Sequence, residues 1–204
     1  MPSHTVERGV LRARLIEVAG KLLTSEGYEA LSMRRVAQEA GCSQMAVYRH
    51  FANKEALTQH LCSMLYTDFV VRVSREMEIA EDPWEKLRLF IVALIRFATR
   101  YPDHYSLVFL VRHSNPEVVA DRERLGAEFL RKVREIVRGV LPAEVDDVTV
   151  NMRLRQVVAC LHGTAALLIA HPKAYDLTRQ RAIDDVEATF RKLLLPEEAA
   201  GAQP

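Results

Sequence analysis

Polar and aromatic side chains cluster in one short stretch of the chain, in a pattern that can recognise nucleic acid. Gln44, Met45, Tyr48 and Arg49 share one face of a helix, because residues four apart lie one above the other. A glutamine can hydrogen-bond base edges, and a helix is thin enough to enter the major groove of DNA. Tyr48 and His50 can reach phosphate oxygens. We therefore predict a DNA-contacting helix here.

Two short helices, at residues 33–40 and 44–51, are expected to position these side chains. Gly41, Cys42 and Ser43 separate them, since glycine suits a positive φ and serine suits a helix N-cap. Ala37 is small where the two helices would cross, which permits the steep angle of a helix-turn-helix. Lys54 follows the cap residue Asn53, at a helix start whose amides favour a phosphate.

The spacing of these residues resembles the TetR family of regulators. The resemblance is carried by Gly41, Ser43, Tyr48, His50 and Phe51, followed by Asn-Lys-Glu-Ala-Leu at 53–57, with matching residues at 22–23, 27–28 and 32–37. It implies that the second motif helix enters the major groove and that Tyr48 and Lys54 touch phosphates. The predicted DNA-binding residues are Arg34, Arg35, Ser43, Gln44, Met45, Tyr48, Arg49, His50 and Lys54.

The motif departs from the family pattern at three positions. Met45 and Ala46 stand where Gly or Pro and Thr or Ser are common, so the resemblance implies no particular operator sequence. Arg35 stands where an acidic residue is common, so no capping box closes on Ser32. Arg35 is instead expected to add a DNA-facing charge. The arginines at 8, 12 and 14 fit either a minor-groove arm or, preferably, a solvated helix face.

Apolar residues recur at helical spacing along the whole chain, which predicts an all-α fold of about nine helices. Residues 1–9 are expected to form a loose arm before a helix that begins at Val10 and stops at Gly27. Later helices are expected from residue 53 to about 79, from Trp84 after a cap at Asp82, from 102 through 111, and at 117–138, 148–170 and 177–195. The predicted division is a DNA-binding domain at 1–54, a ligand-binding and dimerisation domain at 55–195, and a disordered tail at 196–204.

Composition, charge and cysteine content narrow the class of protein. The 204 residues are 49% apolar and contain only 8 Gly and 8 Pro, which favours long helices. The formal net charge of +1 does not by itself indicate a nucleic-acid partner. Three widely spaced cysteines, no signal peptide and no apolar run long enough for a bilayer predict a reduced, cytoplasmic protein without a membrane anchor. Histidine spacing suggests no metal site, and we expect no cofactor.

Large aromatic residues of the C-terminal part are either ordinary core residues or the lining of an apolar ligand cavity. We expect a cavity among the fifth, sixth and eighth helices, with Tyr105, Phe109 and His162 as lining residues. The segment 84–109 and the triplet Leu161-His162-Gly163 are similar to a ligand-binding C-terminal domain of one TetR branch, in which a tryptophan often replaces Leu161.

The helix predicted at 148–170 is apolar almost all the way round, so both of its sides need cover. One side can face the core and the other a symmetry mate, and Gly163 permits a close approach there. A stripe of Val186, Phe190 and Leu194 on the helix at 177–195 is expected to join the interface. We therefore predict a homodimer through these two helices, although a buried helix in a monomer is the alternative.

These features together predict a DNA-binding transcriptional regulator rather than an enzyme, because the sequence contains no His-Glu-x-x-His, Gly-x-Ser-x-Gly, phosphate-loop or Glu-x-x-His motif. The TetR resemblance implies a repressor that leaves a near-palindromic operator when a small, largely apolar effector binds. A ligand-dependent activator and an all-α protein-binding adaptor are the alternatives. The adaptor would not need Tyr48, His50 and Lys54 at positions suited to DNA.

Overall fold

The computed structural model describes residues 4–110, 116–171, 173 and 175–195, and within them every regular element is a helix. The helices are α1 (His4–Glu26), α2 (Met33–Ala40), α3 (Gln44–Tyr48), α4 (Lys54–Glu78), α5 (Pro83–Arg100), α6 (Pro102–Tyr105), α7 (Pro116–Val140), α8 (Asp147–Ala170) and α9 (Arg179–Leu194). A π-helical segment, Ser106–Leu110, continues directly from α6. The all-α prediction is confirmed.

Helix ends are formed largely by the residues expected to form them. Backbone amides three residues further on donate to the side-chain oxygens of four capping residues, at 2.8–3.2 Å: Ser32, Ser43, Asn53 and Asp82. Gly27 (φ 82°) follows α1, and Gly41 (φ 67°) caps α2. Only glycine adopts this left-handed conformation without a steric penalty, which explains both positions.

Two predicted boundaries are wrong. The first helix begins at His4, so residues 4–9 are not a loose arm. Gly9 alone costs only about 1 kcal/mol in a helix interior, and the flanking residues carry the helix through it. The third helix ends at Tyr48 rather than at Phe51, because the amide of His50 donates to the carbonyl of Val47 in a tighter turn. The expected tail at 196–204 lies outside the described residues.

The chain divides into two compact units. The first unit comprises Met1–Thr67 and Asp103–Arg122. Its core joins α1, the α2–α3 pair and the start of α4 through fully buried residues that include Leu15, Val36, Val47 and Leu57. These contacts fix α3 against the other helices of the unit, while the functional division at residue 54 stays a prediction.

The first unit also contains α6 and the π-helical segment. Leu107 completes a small buried cluster with Leu23 of α1 and Cys62 of α4. The Oγ1 atom of Thr24 lies 3.0 Å from Nε2 of His104. That hydroxyl already donates its hydrogen to the carbonyl of Gly20, so His104 is the donor in this contact. The segment after residue 102 is thus attached to the C-terminal end of α1.

The second unit comprises Asp68–Pro102 and Glu123–Pro204, and in it α5 packs against α8 and α9. The stripe of Val186, Phe190 and Leu194 on α9 is buried inside this unit, with at most 2% of each side chain exposed. This corrects the expectation that the stripe faces a partner. The chain's own α5 and α8 already cover it.

Across the described part of the chain, no helix combines the length and the apolar character needed to cross a membrane.

Candidate nucleic-acid interface

The α2–α3 pair is held together by a small apolar contact and a tight turn. Met33, Val36, Ala37 and Ala40 form the buried face of α2, and Val47 is the buried residue of α3. The amides of Gly41 and Cys42 donate to the carbonyls of Gln38 and Ala37, at 3.2 and 3.0 Å. These bonds satisfy the last carbonyls of α2 and set the direction in which α3 leaves.

The opposite face of α3 is open to solvent. Gln44, Met45, Tyr48 and Arg49, here called the reading edge, are all exposed, whereas Val47 between them is fully buried. Met45 has 66% of its surface exposed and Tyr48 44%. Exposed apolar and aromatic side chains next to hydrogen-bonding groups are suited to contact bases and sugar–phosphate together. The first unit therefore leaves the reading edge accessible.

The two arginines of α2 differ in their surroundings. Arg34 is exposed. Arg35 lies between two carboxylates, with its guanidinium 3.0 Å from Glu26 and 3.3 Å from Glu39. A positive charge that is already paired attracts a phosphate less strongly, because the phosphate must compete with both carboxylates. Arg35 is thus a weaker candidate for the DNA-facing charge that its sequence position suggested.

Lys54, the first residue of α4, is held against the loop that follows α1. Its ammonium nitrogen lies 4.1 Å from the centroid of the Tyr28 ring and donates a 3.2 Å hydrogen bond to the Tyr28 carbonyl. An ammonium group has three donors, so this bond leaves others available for a phosphate. Lys54 can therefore both fix the start of α4 and contact DNA. His50, half-buried in the turn after α3, has a partner within the protein.

The structure also brings two arginines of α1 to this region, a placement that sequence reasoning missed. The guanidinium of Arg12 lies 5.2 Å from the centroid of the Phe51 ring and 3.4 Å from the ring nitrogens of His60. Burial and the charge of Arg12 lower the pKa of His60. Arg14 extends to the α2–α3 turn at Gly41. The basic spacing on α1 was visible, but it does not show which helix faces these side chains.

The predicted effector residues Tyr105 and Phe109 lie together in the first unit. Tyr105 is fully buried, and its ring centroid is 5.0 Å from that of Phe109. The Phe109 ring also contacts Tyr66 of α4, 5.9 Å away in an edge-to-face arrangement. Burial raises the pKa of Tyr105 well above its usual range, so its phenol stays neutral. The pair joins the π-helical segment to α4.

His162, the third predicted effector residue, lies on α8 in the second unit and is half-buried. Burial lowers its pKa from 6.5 to about 4, because the charged imidazolium is poorly solvated there. His162 is therefore neutral near pH 7 and can act as a hydrogen-bond donor or acceptor.

This lowered pKa gives a stability prediction. The unfolded chain binds a proton at His162 near pH 6.5, whereas the folded chain does so only near pH 4. The stability that the neutral ring contributes is thus complete above about pH 6.5 and is lost as the pH falls towards about 4. We expect His162→Leu to reduce the fall in melting temperature between pH 7 and about pH 4.5. His171→Leu, at an exposed position, is the matched control, and an equal effect of both variants would contradict the prediction.

Among the residues that the structure describes, no group of three or more His, Cys, Asp or Glu side chains is placed to hold a metal ion.

Two family models match the chain. The model described as bacterial regulatory proteins, tetR family, matches residues 15–61, which contain α2, α3 and the reading edge. The model described as tetracyclin repressor-like, C-terminal domain, matches residues 87–195, more than half of the chain. Together they cover the helix-turn-helix and most of the remaining helices.

Individual proteins and solved structures are also similar to this chain. Nucleoid occlusion factor SlmA from Vibrio vulnificus (strain YJ016) is 29% identical over 92 residues, which are 45% of this chain and 47% of that protein, so the chain spans about half the length of this curated relative. The crystal structure of the TetR family transcriptional regulator PfmR from Thermus thermophilus has a TM-score of 0.63 at 28% identity and covers 89% of this chain and 97% of its own. A protein of unknown function from Rhodococcus sp. RHA1 shares the fold, with a TM-score of 0.75 at 21% identity over 91% of this chain and 96% of its own.

The family models account for both parts of the chain, and the exposed reading edge lies inside the first of them. The match to both family models also confirms the prediction of a regulator rather than an enzyme. The chain belongs to the TetR family of DNA-binding transcriptional regulators.

Proposed function

We propose that this regulator is a homodimeric repressor that leaves a near-palindromic operator when a small, largely apolar effector binds. The observation that carries the proposal is the reading edge, which is exposed on a helix whose other face is fixed by the buried Val47. A short rigid helix that presents polar groups outward can be inserted into a major groove at low entropic cost.

The proposed contacts divide into two kinds. Gln44, Met45 and Arg49 are assigned to base edges, because the first two are exposed on α3 and Arg49 is exposed as its C-cap residue. Tyr48 and Lys54 are assigned to phosphates, which position the protein without reading the sequence. Four further residues complete the proposed interface, with Arg35 weakened by its two carboxylate partners: Arg34, Arg35, Ser43 and His50.

The dimer is proposed to form through α8, with α9 beside it. The exposed face of α8 carries Val148, Met152, Gly163 and Leu167, at spacings that form one stripe along the helix. Val148 is 76% exposed and Leu167 40%, so the stripe presents apolar surface to solvent in a single copy, and contiguous exposed apolar surface is typical of interaction sites. Burial of this stripe against a second copy would cover it. The exposed face of α9 is largely polar, so it would contribute through charged groups such as Asp184 and Arg191.

Gly163 provides a test of this interface. Outside its own helical turn, a Cβ added at Gly163 meets no atom of the described residues within 4 Å, so Gly163→Leu should leave the protomer folded. In a close α8–α8 contact, however, the leucine would separate the two helices. We expect dissociation of the dimer in sedimentation equilibrium at protein concentrations where the wild type stays dimeric. Gly9→Leu is the matched control, since a Cβ at Gly9, also within a helix, likewise meets no described atom outside its own turn within 4 Å. Unchanged dimerisation of Gly163→Leu would exclude the α8 interface.

The effector is proposed to contact Tyr105 and Phe109 in the first unit, where two aromatic rings in van der Waals range offer apolar surface. His162, in the second unit, stays a separate proposed effector contact, because its neutral imidazole can donate or accept a hydrogen bond. Because α6 and the π-helical segment are attached to α1 through His104 and Leu107, a ligand that displaces Tyr105 would act directly on the first unit. Coupling of about 1–3 kcal/mol between such sites is typical of allostery.

Selective DNA binding is the decisive experiment. Fluorescence anisotropy would compare the DNA upstream of the protein's own gene with a scrambled sequence of equal length, at about 0.15 M salt. We expect the upstream DNA to bind at least about 1,000-fold more tightly. Equal affinity for both DNAs would refute the proposal. A reporter under the same promoter then distinguishes repression from activation, because loss of the regulator raises expression only in the first case.

A further inference from the structure

We infer that Arg14 on α1 is an additional DNA contact, which binds a backbone phosphate beside the α2–α3 turn. The inference rests on the proposed function and extends the interface to a helix outside the helix-turn-helix. Its geometric basis is that Nη2 of Arg14 lies 3.7 Å from the position that a Cβ would take at Gly41. Gly41 is two residues before Ser43, the N-cap of α3. The guanidinium therefore lies close to the N-terminal end of α3.

The charge of Arg14 is available. The side chain is exposed, and within the described residues it has no hydrogen bond or ion pair. The acidic neighbour on its own helix is Glu17, whose carboxylate is engaged by Lys21 at 2.6 Å. The pKa of Glu17 is lowered chiefly by Lys21, and Arg14 is the smallest contributor. Arg14 is thus not neutralised by the protein.

Two other arginines of the first unit show the contrast. Arg35 is paired with two carboxylates, and Arg12 is stacked on Phe51 next to His60. Both are engaged in contacts that hold the unit together. Among the described residues, the Arg14 guanidinium has no such carboxylate or ring partner, and its Nη2 lies 3.7 Å from the position that a Cβ would take at Gly41.

Phosphate is the group that this placement fits. A guanidinium presents a planar fork of donors that matches a phosphate in a bidentate manner. Arg14 belongs to α1 rather than to the reading edge, so it lies outside the helix proposed to enter the groove. A cation beside such a helix meets the backbone of the duplex, which is the same for every sequence. Arg14 should therefore add affinity without adding selectivity.

The test is the salt dependence of binding. Each phosphate contact contributes about −0.9 to the slope of log K against log salt. A dimer carries Arg14 twice, so Arg14→Ala should make the slope shallower by about 1.8. A four-fold rise in salt should then weaken the variant about ten-fold less than the wild type. Affinity for operator and for scrambled DNA should fall by the same factor, while the melting temperature stays within the range of a surface substitution.

Two variants serve as controls. Arg14→Lys keeps the charge and should keep the slope. Arg131→Ala removes an exposed arginine of α7 in the second unit and should change neither slope nor affinity. An unchanged slope for Arg14→Ala, or a loss confined to operator DNA, would overturn the inference while the proposed function stands. Loss of affinity with an unchanged slope and a lower melting temperature would assign Arg14 a structural role and also overturn it. Absence of selective binding by the wild type would instead refute the proposed function.

Discussion

Replacing Tyr48 and Lys54 together by alanine is expected to lower operator affinity by at least about 100-fold. Tyr48 is 44% exposed on the reading edge and is free to place its hydroxyl on a phosphate. A hydrogen bond to a charged group contributes about 1.5 kcal/mol, and a dimer makes it twice, so Tyr48 alone accounts for about 3 kcal/mol, or about 100-fold. Loss of the Lys54 ammonium adds to this.

The double variant also has a predictable effect on stability. Lys54 stacks on Tyr28, and such a cation–π contact is worth about 0.5–1 kcal/mol at an accessible site. The melting temperature should therefore fall slightly, by about 1–4 °C, and the variant should stay folded and dimeric. The matched control is Lys173→Ala with Tyr175→Ala, which removes the same two residue types from an exposed loop of the second unit. Operator affinity equal to that of the control would exclude the proposed interface.

Tyr105→Ala is expected to cause the largest loss of stability of the substitutions considered. Tyr105 is fully buried and contacts the Phe109 ring. Truncation of a buried aromatic side chain costs about 3–5 kcal/mol, because the cavity that remains cannot collapse completely. For a chain of this size, that corresponds to a fall of about 6–20 °C in melting temperature.

Tyr105→Phe separates the ring from its hydroxyl. The phenylalanine keeps the packing and should cost no more than about 1–2 kcal/mol, the range for one lost hydrogen bond. If the hydroxyl anchors the effector, this variant should bind the operator normally yet respond less to the effector. A melting temperature of Tyr105→Ala equal to that of the wild type would mean that the segment after residue 102 does not contribute to the folded core.

The fold was predictable from local signals wherever one residue type satisfies one backbone requirement. Ser32, Ser43, Asn53 and Asp82 cap helices, and Gly41 ends α2, as their positions in the sequence indicated. The start of α1 was not predictable in this way, because residues 4–9 lack a strong stop or start signal and only mild propensities decide there. Helix ends of this kind are determined by small differences in free energy.

Tertiary contacts limited the prediction of the site. The face of α3 followed from helical spacing, and the exposure of the reading edge agrees with it. The distant neighbours of Arg35, Lys54 and Arg14 did not follow, since Glu26, Tyr28 and Gly41 are 9 to 27 residues away and come close only through packing. The wrong prediction for the α9 stripe has the same cause. Periodicity shows that Val186 and Phe190 are buried, but it does not show which helix covers them.

The attachment of residues 103–110 to α1 and α4 has a practical meaning for engineering. A chimaera that joined the first 67 residues of this protein to the remainder of a relative would leave Leu23 and Cys62 without their native cover, Leu107. Thr24 would likewise face a foreign side chain in place of His104. Reprogramming the promoter choice of another regulator with this sequence therefore requires two grafted segments instead of one, with the second taken from the middle of the chain.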